Sequence, residues 1–194
     1  MTQEIEIEYK NMLTKDEFDR LLTNLPFPQK AQTQANHYFE TADFSLKEQG
    51  CALRIREKNG SFTITLKEPH TTGLLETHDQ LTKDEADSWL NGRPTTTPET
   101  ITRLADKEIE VDELIYYGCL TTKRREFAYD DVLLVLDYNT YLGTTDYELE
   151  LEAATEQSGQ NAMRKLLDDY QIEQRKTPNK IHRFFAAKNG ERSD

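Results

Sequence analysis

The chain has 194 residues, 36% hydrophobic and 31% charged, a length and balance that suit one domain with a core of its own. Thirty-six acidic residues against 24 basic ones leave a formal charge of −12, which excludes a duplex nucleic-acid binder working by excess positive charge. No stretch approaches the ~20 consecutive apolar residues of a membrane-spanning helix, and the alternating acidic start Met1-Thr-Gln-Glu-Ile-Glu6 is unlike a secretory leader, so the expectation is a cytoplasmic protein with no membrane partner.

Strands dominate the first two thirds. Glu4 to Lys10 alternates ionisable with apolar residues and predicts a strand with Glu4, Glu6, Glu8 and Lys10 on one face. Thr14-Lys-Asp-Glu17 is a capping box for a short helix to about Leu22, ended by Pro26 and Pro28. Asn36 to Thr41 predicts a second strand. Asn59-Gly60, between Ala52–Lys58 and Ser61–Lys67, predicts a hairpin with a two-residue turn. Leu74 to Leu81 is a further strand carrying Glu76, His78 and Gln80. Thr82-Lys-Asp-Glu85 then opens a helix that contains Trp89 and stops at Gly92 and Pro94. Residues 95–115 read as a Thr-Pro stretch followed by a short helix or two. Thr121–Tyr129 and Val132–Leu142 are long strands around Asp130-Asp131, and Tyr147–Glu152 is another. A helix from about Gln160 to Tyr170 and a basic tail around Lys176 to Arg183 complete the chain. No boundary, repeat or linker interrupts this order, so residues 1–194 are expected to form a single domain. Cys51 and Cys119 lack Cys-x-x-Cys or zinc spacing and are expected to be reduced and buried.

One strand alternating apolar with charged residues is ordinarily a solvated amphipathic strand, but several sharing one sign of charge need another account. In the predicted Asn59-Gly60 hairpin, Arg54, Arg56 and Lys67 share a face with Lys58, opposite a core face of Leu53, Ile55, Phe62, Ile64 and Leu66. Like charges on adjacent strands repel, so something anionic should bind there. An even-length loop at Asp130-Asp131 sets Arg124 on the face of Asp137, whereas an odd one sets Arg125 there. Glu4, Glu6 and Glu8, and Glu148, Glu150 and Glu152, supply the opposite sign. Clustered carboxylates are costly unless neutralised, and an all-oxygen set suits Mg²⁺ or Mn²⁺. A closed barrel of about eight strands has room for one small ligand, and charges of both signs inside it would make a polar tunnel for a polyanion and a bridging metal.

The ordered set Glu6-x-Glu8-x-Lys10, Arg54-x-Arg56, Lys67, Glu76, an arginine at 124 or 125, Asp137, Glu148-x-Glu150 and Asn179-Lys180 resembles the CYTH family, the triphosphate tunnel metalloenzymes. Within that family the chain is most similar to the small, stand-alone bacterial branch called YjbK-like. The resemblance implies a mainly β, α+β fold: a closed antiparallel eight-stranded tunnel with peripheral helices. It also implies a triphosphate-containing substrate, dependence on Mg²⁺ or Mn²⁺, and hydrolysis at the terminal phosphate. Lys10, Arg54, Arg56, Lys67 and Arg124 would then grip the phosphates, with Lys180 adding a contact at one mouth. Glu6, Glu8, Asp137, Glu148 and Glu150 would hold one or two metal ions, with Glu152 and Glu4 as ligands or rim residues. Glu76 would orient a cation or an arginine, and Glu6, Glu8, Lys10 and Glu76 form the expected catalytic set. No histidine base is needed when a metal activates water, which suits a chain whose four histidines form no ligand spacing and which has no Gly-rich phosphate loop. The expected partner is a small triphosphate or inorganic polyphosphate, bound by a monomer or homodimer. The same charges also fit a non-catalytic polyphosphate or nucleotide receptor, an adenylate cyclase of this architecture, or an open-sheet interaction domain with solvated faces.

Overall fold

The computed structural model describes residues 2–71, 73–94 and 99–190. In chain order they form β1 (Thr2–Glu6), β2 (Glu8–Leu13), α1 (Lys15–Asn24), β3 (Gln32–Glu40), α2 (Ser45–Glu48), β4 (Ala52–Lys58), β5 (Ser61–His70) and β6 (Gly73–Leu81). There follow α3 (Lys83–Leu90), α4 (Glu99–Ala105), a 3-10 turn (Val111–Glu113), β7 (Ile115–Tyr129), β8 (Val132–Tyr141), β9 (Thr144–Ala153), α5 (Glu156–Asp169) and α6 (Lys180–Lys188). The chain is thus mainly antiparallel β with helices, and these elements fall into two compact units.

The first unit comprises Met1–Ile5 and Gln34–Leu120, with strands in the order β1-β6-β5-β4-β3. Asn59 and Gly60, at φ of 54° and 77°, make the two-residue turn that the sequence predicts. That turn pairs Lys58 with Ser61 and carries the register on to Ala52 opposite Lys67. One face of the hairpin is therefore Leu53, Ile55, Ile64 and Leu66, all fully buried with Phe39, Trp89 and Leu104. Burial of each such side chain stabilises the fold by about 2 kcal/mol. Thr82 and Glu85 close their capping box at the start of α3. The short helices expected within 95–115 are α4 and the 3-10 turn, while residues 95–98 lie outside the described residues.

The second unit comprises Glu6–Thr33 and Thr121–Asp194, with strands in the order β7-β8-β9-β2. Leu134, Leu136, Leu149 and Leu151 are completely buried beneath Phe18 and Leu21 of α1 and Met163 and Leu166 of α5. Gly159 lets α5 settle onto β2, since a Cβ there would overlap the ring of Tyr9, whose hydroxyl donates to the Glu156 carbonyl at 3.0 Å. Gly159→Ala, a change that ordinarily favours a helix, should here cost about 1–3 kcal/mol through overpacking, read as a lower urea midpoint at unchanged m-value. An unchanged or higher midpoint would show that the ring moves aside freely. Past α5 the chain is buckled to β2. The Asn11 amide, fully buried, donates to the Glu173 carbonyl at 2.9 Å and accepts from the Arg175 N–H at 2.7 Å, and Thr177 Oγ1 accepts from the Met12 N–H at 2.8 Å.

Four expectations need correction. The N-terminal strand breaks at Ile7 into β1 and β2, so that the described residues contain nine strands where eight were expected. The strand placed at Thr121–Tyr129 begins earlier, at Ile115, and the next ends at Tyr141 because Leu142, at φ 46°, and Gly143, at φ 77°, form a two-residue turn of their own. The basic tail becomes α6, whose Ile181, Phe184 and Phe185 are buried at helical spacing. Cys51 is buried, but Cys119 is only half-buried; neither is in a disulfide. Among the described residues no helix is long and apolar enough to cross a membrane.

Candidate active site

In the second unit, the face of β7, β8, β9 and β2 opposite the leucine core is ionic. The two-residue turn at Asp130-Asp131 pairs Tyr129 with Val132, an even-length loop, so Arg124 stands opposite Asp137 and Arg125 opposite Leu136. Arg124 makes a forked pair with Asp137, Nε to Oδ1 at 2.9 Å and Nη2 to Oδ2 at 2.7 Å, and reaches Glu150 as well. Arg125 instead donates to the Pro28 carbonyl at 3.1 Å and the Gln29 carbonyl at 3.3 Å. Asp137 stands opposite Glu148, Lys10 opposite Glu150, and Glu8 opposite Glu152.

Asp137 and Glu148 are fully buried and Glu150 nearly so, and one oxygen from each lies within 4.8 Å of the others. Three buried carboxylates that close would be prohibitive without cations. Lys180 supplies one: its Nζ is 2.9 Å from Asp137 and 2.6 Å from Glu148, and it also contacts Glu150. Arg183, 2% exposed, donates to Glu148 at 2.7 Å and to Asp146 at 2.9 Å. Lys10 lies 2.8 Å from Glu8 and 3.9 Å from Glu150.

The titration behaviour follows. Burial alone would raise the pKa of Glu150, but Lys180, Arg124 and Lys10 outweigh it and hold the carboxyl well below its ordinary range. Burial likewise opposes the charge on Lys180, yet Glu148, Glu150 and Asp137 keep its pKa well above the ordinary lysine value. Glu152 runs the other way, with burial first and then Glu6 pushing its carboxyl up. Negative charge is thus well compensated at Glu150 and less so at Glu152. The oxygen-only set of Asp137, Glu148 and Glu150 is of the kind that suits a hard divalent cation, and Glu8 stands opposite Glu152 across β2 and β9.

In the first unit, the face opposite the leucines carries four rungs of paired residues: Ala52, Lys67 and Glu76; Tyr38, Arg54, Thr65 and His78; Asn36, Arg56, Thr63 and Gln80; Gln34, Lys58 and Ser61. Each rung holds one lysine or arginine, as the parity of the hairpin predicts. Glu76, 3% exposed, pairs with Lys67 and lies 3.6 Å from Arg54. His78 Nε2 lies 3.2 Å from Glu4 and 3.5 Å from Glu76, while its Nδ1 is 2.9 Å from Thr65 Oγ1. Arg56 Nε donates to Asn36 Oδ1 at 2.9 Å, but Arg54 Nε is buried without a hydrogen-bond partner. A buried donor left unmatched is costly, and an anion's oxygen would match it.

Sequence reasoning missed Arg183 and Asp146. Asp146 continues the even-numbered run Glu148, Glu150, Glu152 by one step, and Arg183 sits within the Ile181, Phe184, Phe185 pattern, so both signals were legible.

The family model for the CYTH domain matches residues 4–185. The chain belongs to the CYTH family. Among relatives, the Bacillus subtilis (strain 168) protein named "Putative triphosphatase YjbK" is 47% identical over 189 residues, covering 97% of this chain and 98% of that one. A Bacillus halodurans crystal structure titled "putative adenylate cyclase" superposes with a TM-score of 0.92 at 44% identity, covering 95% of this chain and all of that one. A Hippeastrum structure, described as a putative adenylyl cyclase with a dominant triphosphatase activity, has a TM-score of 0.76 at 23% identity, covers 97% of this chain and 96% of that one, and shares the fold.

Proposed function

We propose that this CYTH protein hydrolyses the terminal phosphoanhydride of a linear triphosphate, inorganic tripolyphosphate or a small organic one, with Mg²⁺ or Mn²⁺. The observation that carries the reading is the pairing of sign within the second unit: Arg124, Lys10 and Lys180 stand among carboxylates that include the opposed Glu8 and Glu152. The likeness to the Bacillus subtilis protein named as a triphosphatase supports it. The closed eight-stranded tunnel is part of this proposal, with β1 and β2 counted as two halves of one broken strand.

Glu6, Glu8 and Glu152 would hold the divalent ion, and Asp137, Glu148 and Glu150 would join as ligands as Lys180 turns from them to a phosphate oxygen. The bound ion would neutralise charge on the transferring phosphoryl group and acidify the attacking water. Lys10 and Arg124 would bind non-bridging oxygens, the arginine through its fork and the lysine as a point charge. Arg54, Arg56 and Lys67 would bind further oxygens, with Glu76 keeping Lys67 and Arg54 extended toward them. In the reaction the water oxygen bonds to the terminal phosphorus as its bridging P–O bond breaks. The leaving group, pyrophosphate from tripolyphosphate or the organic diphosphate otherwise, keeps that electron pair, its charge balanced by the lysines and arginines, and the attacking water gives up its proton to solvent.

The name borne by the Bacillus halodurans structure favours a second reading, cyclisation of ATP to cyclic AMP and pyrophosphate. A panel of tripolyphosphate, ATP, GTP and thiamine triphosphate with either metal, with products resolved, separates the two. Orthophosphate from tripolyphosphate is the expected product. Cyclic AMP from ATP without orthophosphate would replace the proposal, and binding without turnover would mark a receptor.

A further inference from the structure

Asp137, Glu148 and Glu150 already hold a cation, the Lys180 ammonium. Its Nζ lies 2.9 Å from Asp137 Oδ2 and 2.6 Å from Glu148 Oε2, and it also contacts Glu150 Oε1. One oxygen from each carboxylate lies within 4.8 Å of the others, and a magnesium ion ligated by oxygens at about 2.1 Å would need the space between them. Lys180 and the ion would then share one place, where two positive charges repel strongly. The trio can hold the one or the other.

The basic residues around the trio are not equally fixed. Arg124 is forked onto both oxygens of Asp137, and Arg183 is tied to Asp146 as well as to Glu148. Lys180 is a point charge on a flexible four-carbon stem. It is also the first residue of α6, where the helix dipole disfavours a positive charge, and the Asn179 side chain makes no cap hydrogen bond there. The place of this ammonium thus depends on the carboxylates and not on the helix.

We propose that Lys180 is an internal competitor of the divalent ion: it fills the carboxylate trio until an anion offers its ammonium phosphate oxygens, so that metal alone binds weakly and metal and anion load together. This rests on the metal-dependent triphosphatase reading and adds to it the order in which the site is filled. A trio free of Lys180 about one-tenth of the time would bind metal about tenfold more weakly than one always free. Calorimetric titration with Mn²⁺ alone should therefore show about tenfold tighter binding in Lys180→Met than in the parent, with circular dichroism confirming the fold. The unaltered chain supplies a second measurement, the rate of lysine acylation read by mass spectrometry, with the exposed Lys188 of the same helix as reference. Saturating Mg²⁺ should raise the rate at Lys180, whose side chain is 11% exposed, severalfold relative to Lys188, and tripolyphosphate added to the Mg²⁺ should lower it again. Equal Mn²⁺ affinity in the two proteins overturns the competition. So does an unchanged Lys180 rate at saturating Mg²⁺, which would reduce tighter binding in the variant to a plain charge effect. A rise with Mg²⁺ that tripolyphosphate leaves untouched upholds the competition and removes tripolyphosphate as the second partner of Lys180, so the two readings fail separately.

Discussion

Glu8→Gln should lower orthophosphate release from tripolyphosphate by about 10²–10³-fold or more, the scale on which a group that stabilises developing charge contributes, while tripolyphosphate still binds. The substitution keeps the volume and removes a charge from a strand position where Glu8 faces Glu152 and pairs with Lys10 at 2.8 Å. A half-buried site with a like charge opposite should tolerate this structurally, so the loss should fall on kcat. Raising Mg²⁺ or Mn²⁺ should recover part of the rate if the carboxylate acts through the ion. A variant with unaltered kcat would remove Glu8 from the proposed machinery.

Arg183→Met should have the largest effect on stability. The guanidinium is 2% exposed and neutralises Glu148, itself fully buried, together with Asp146. Removing one partner from a buried pair leaves an unmatched charge and costs about 3–5 kcal/mol, which for a chain of this size lowers the melting temperature by about 10–15 °C. Adding Glu148→Met should return much of that loss, because a pair without charge has no desolvation cost to offset. A melting temperature within about 2 °C of the parent would show that Lys180 alone compensates Glu148. Acid should act on the same network. Glu150 is held well below its ordinary range in the folded state, so its stabilising contribution is present above the unfolded carboxylate pKa and is lost as pH falls toward the folded one.

Local rules made much of this legible. Asn59-Gly60 sets a two-residue turn, the turn sets parity, and parity alone places Arg54, Arg56 and Lys67 on one face and the leucines and isoleucines on the other. The same reasoning at Asp130-Asp131 separates Arg124 from Arg125. Both threonine capping boxes form as their spacing predicts. What escaped depends on tertiary neighbours. Nothing in the alternation from Glu4 to Lys10 marks Ile7 as a break, because the alternation is the same on both sides of it. The tail from Lys176 to Arg183 reads as basic, and only the carboxylates of β8 and β9 explain why Lys180 and Arg183 are buried charges of a helix.

The order of the pairing partners has a consequence for biosynthesis. β2 pairs with β9, so Glu8 waits about 140 residues for Glu152 to be translated. Two counter-ions of the β9 carboxylates, Lys180 and Arg183, come later still, from α6. The second unit should therefore complete its assembly only once α6 has been synthesised, and truncation before Lys180 should leave its most acidic strand unable to do so.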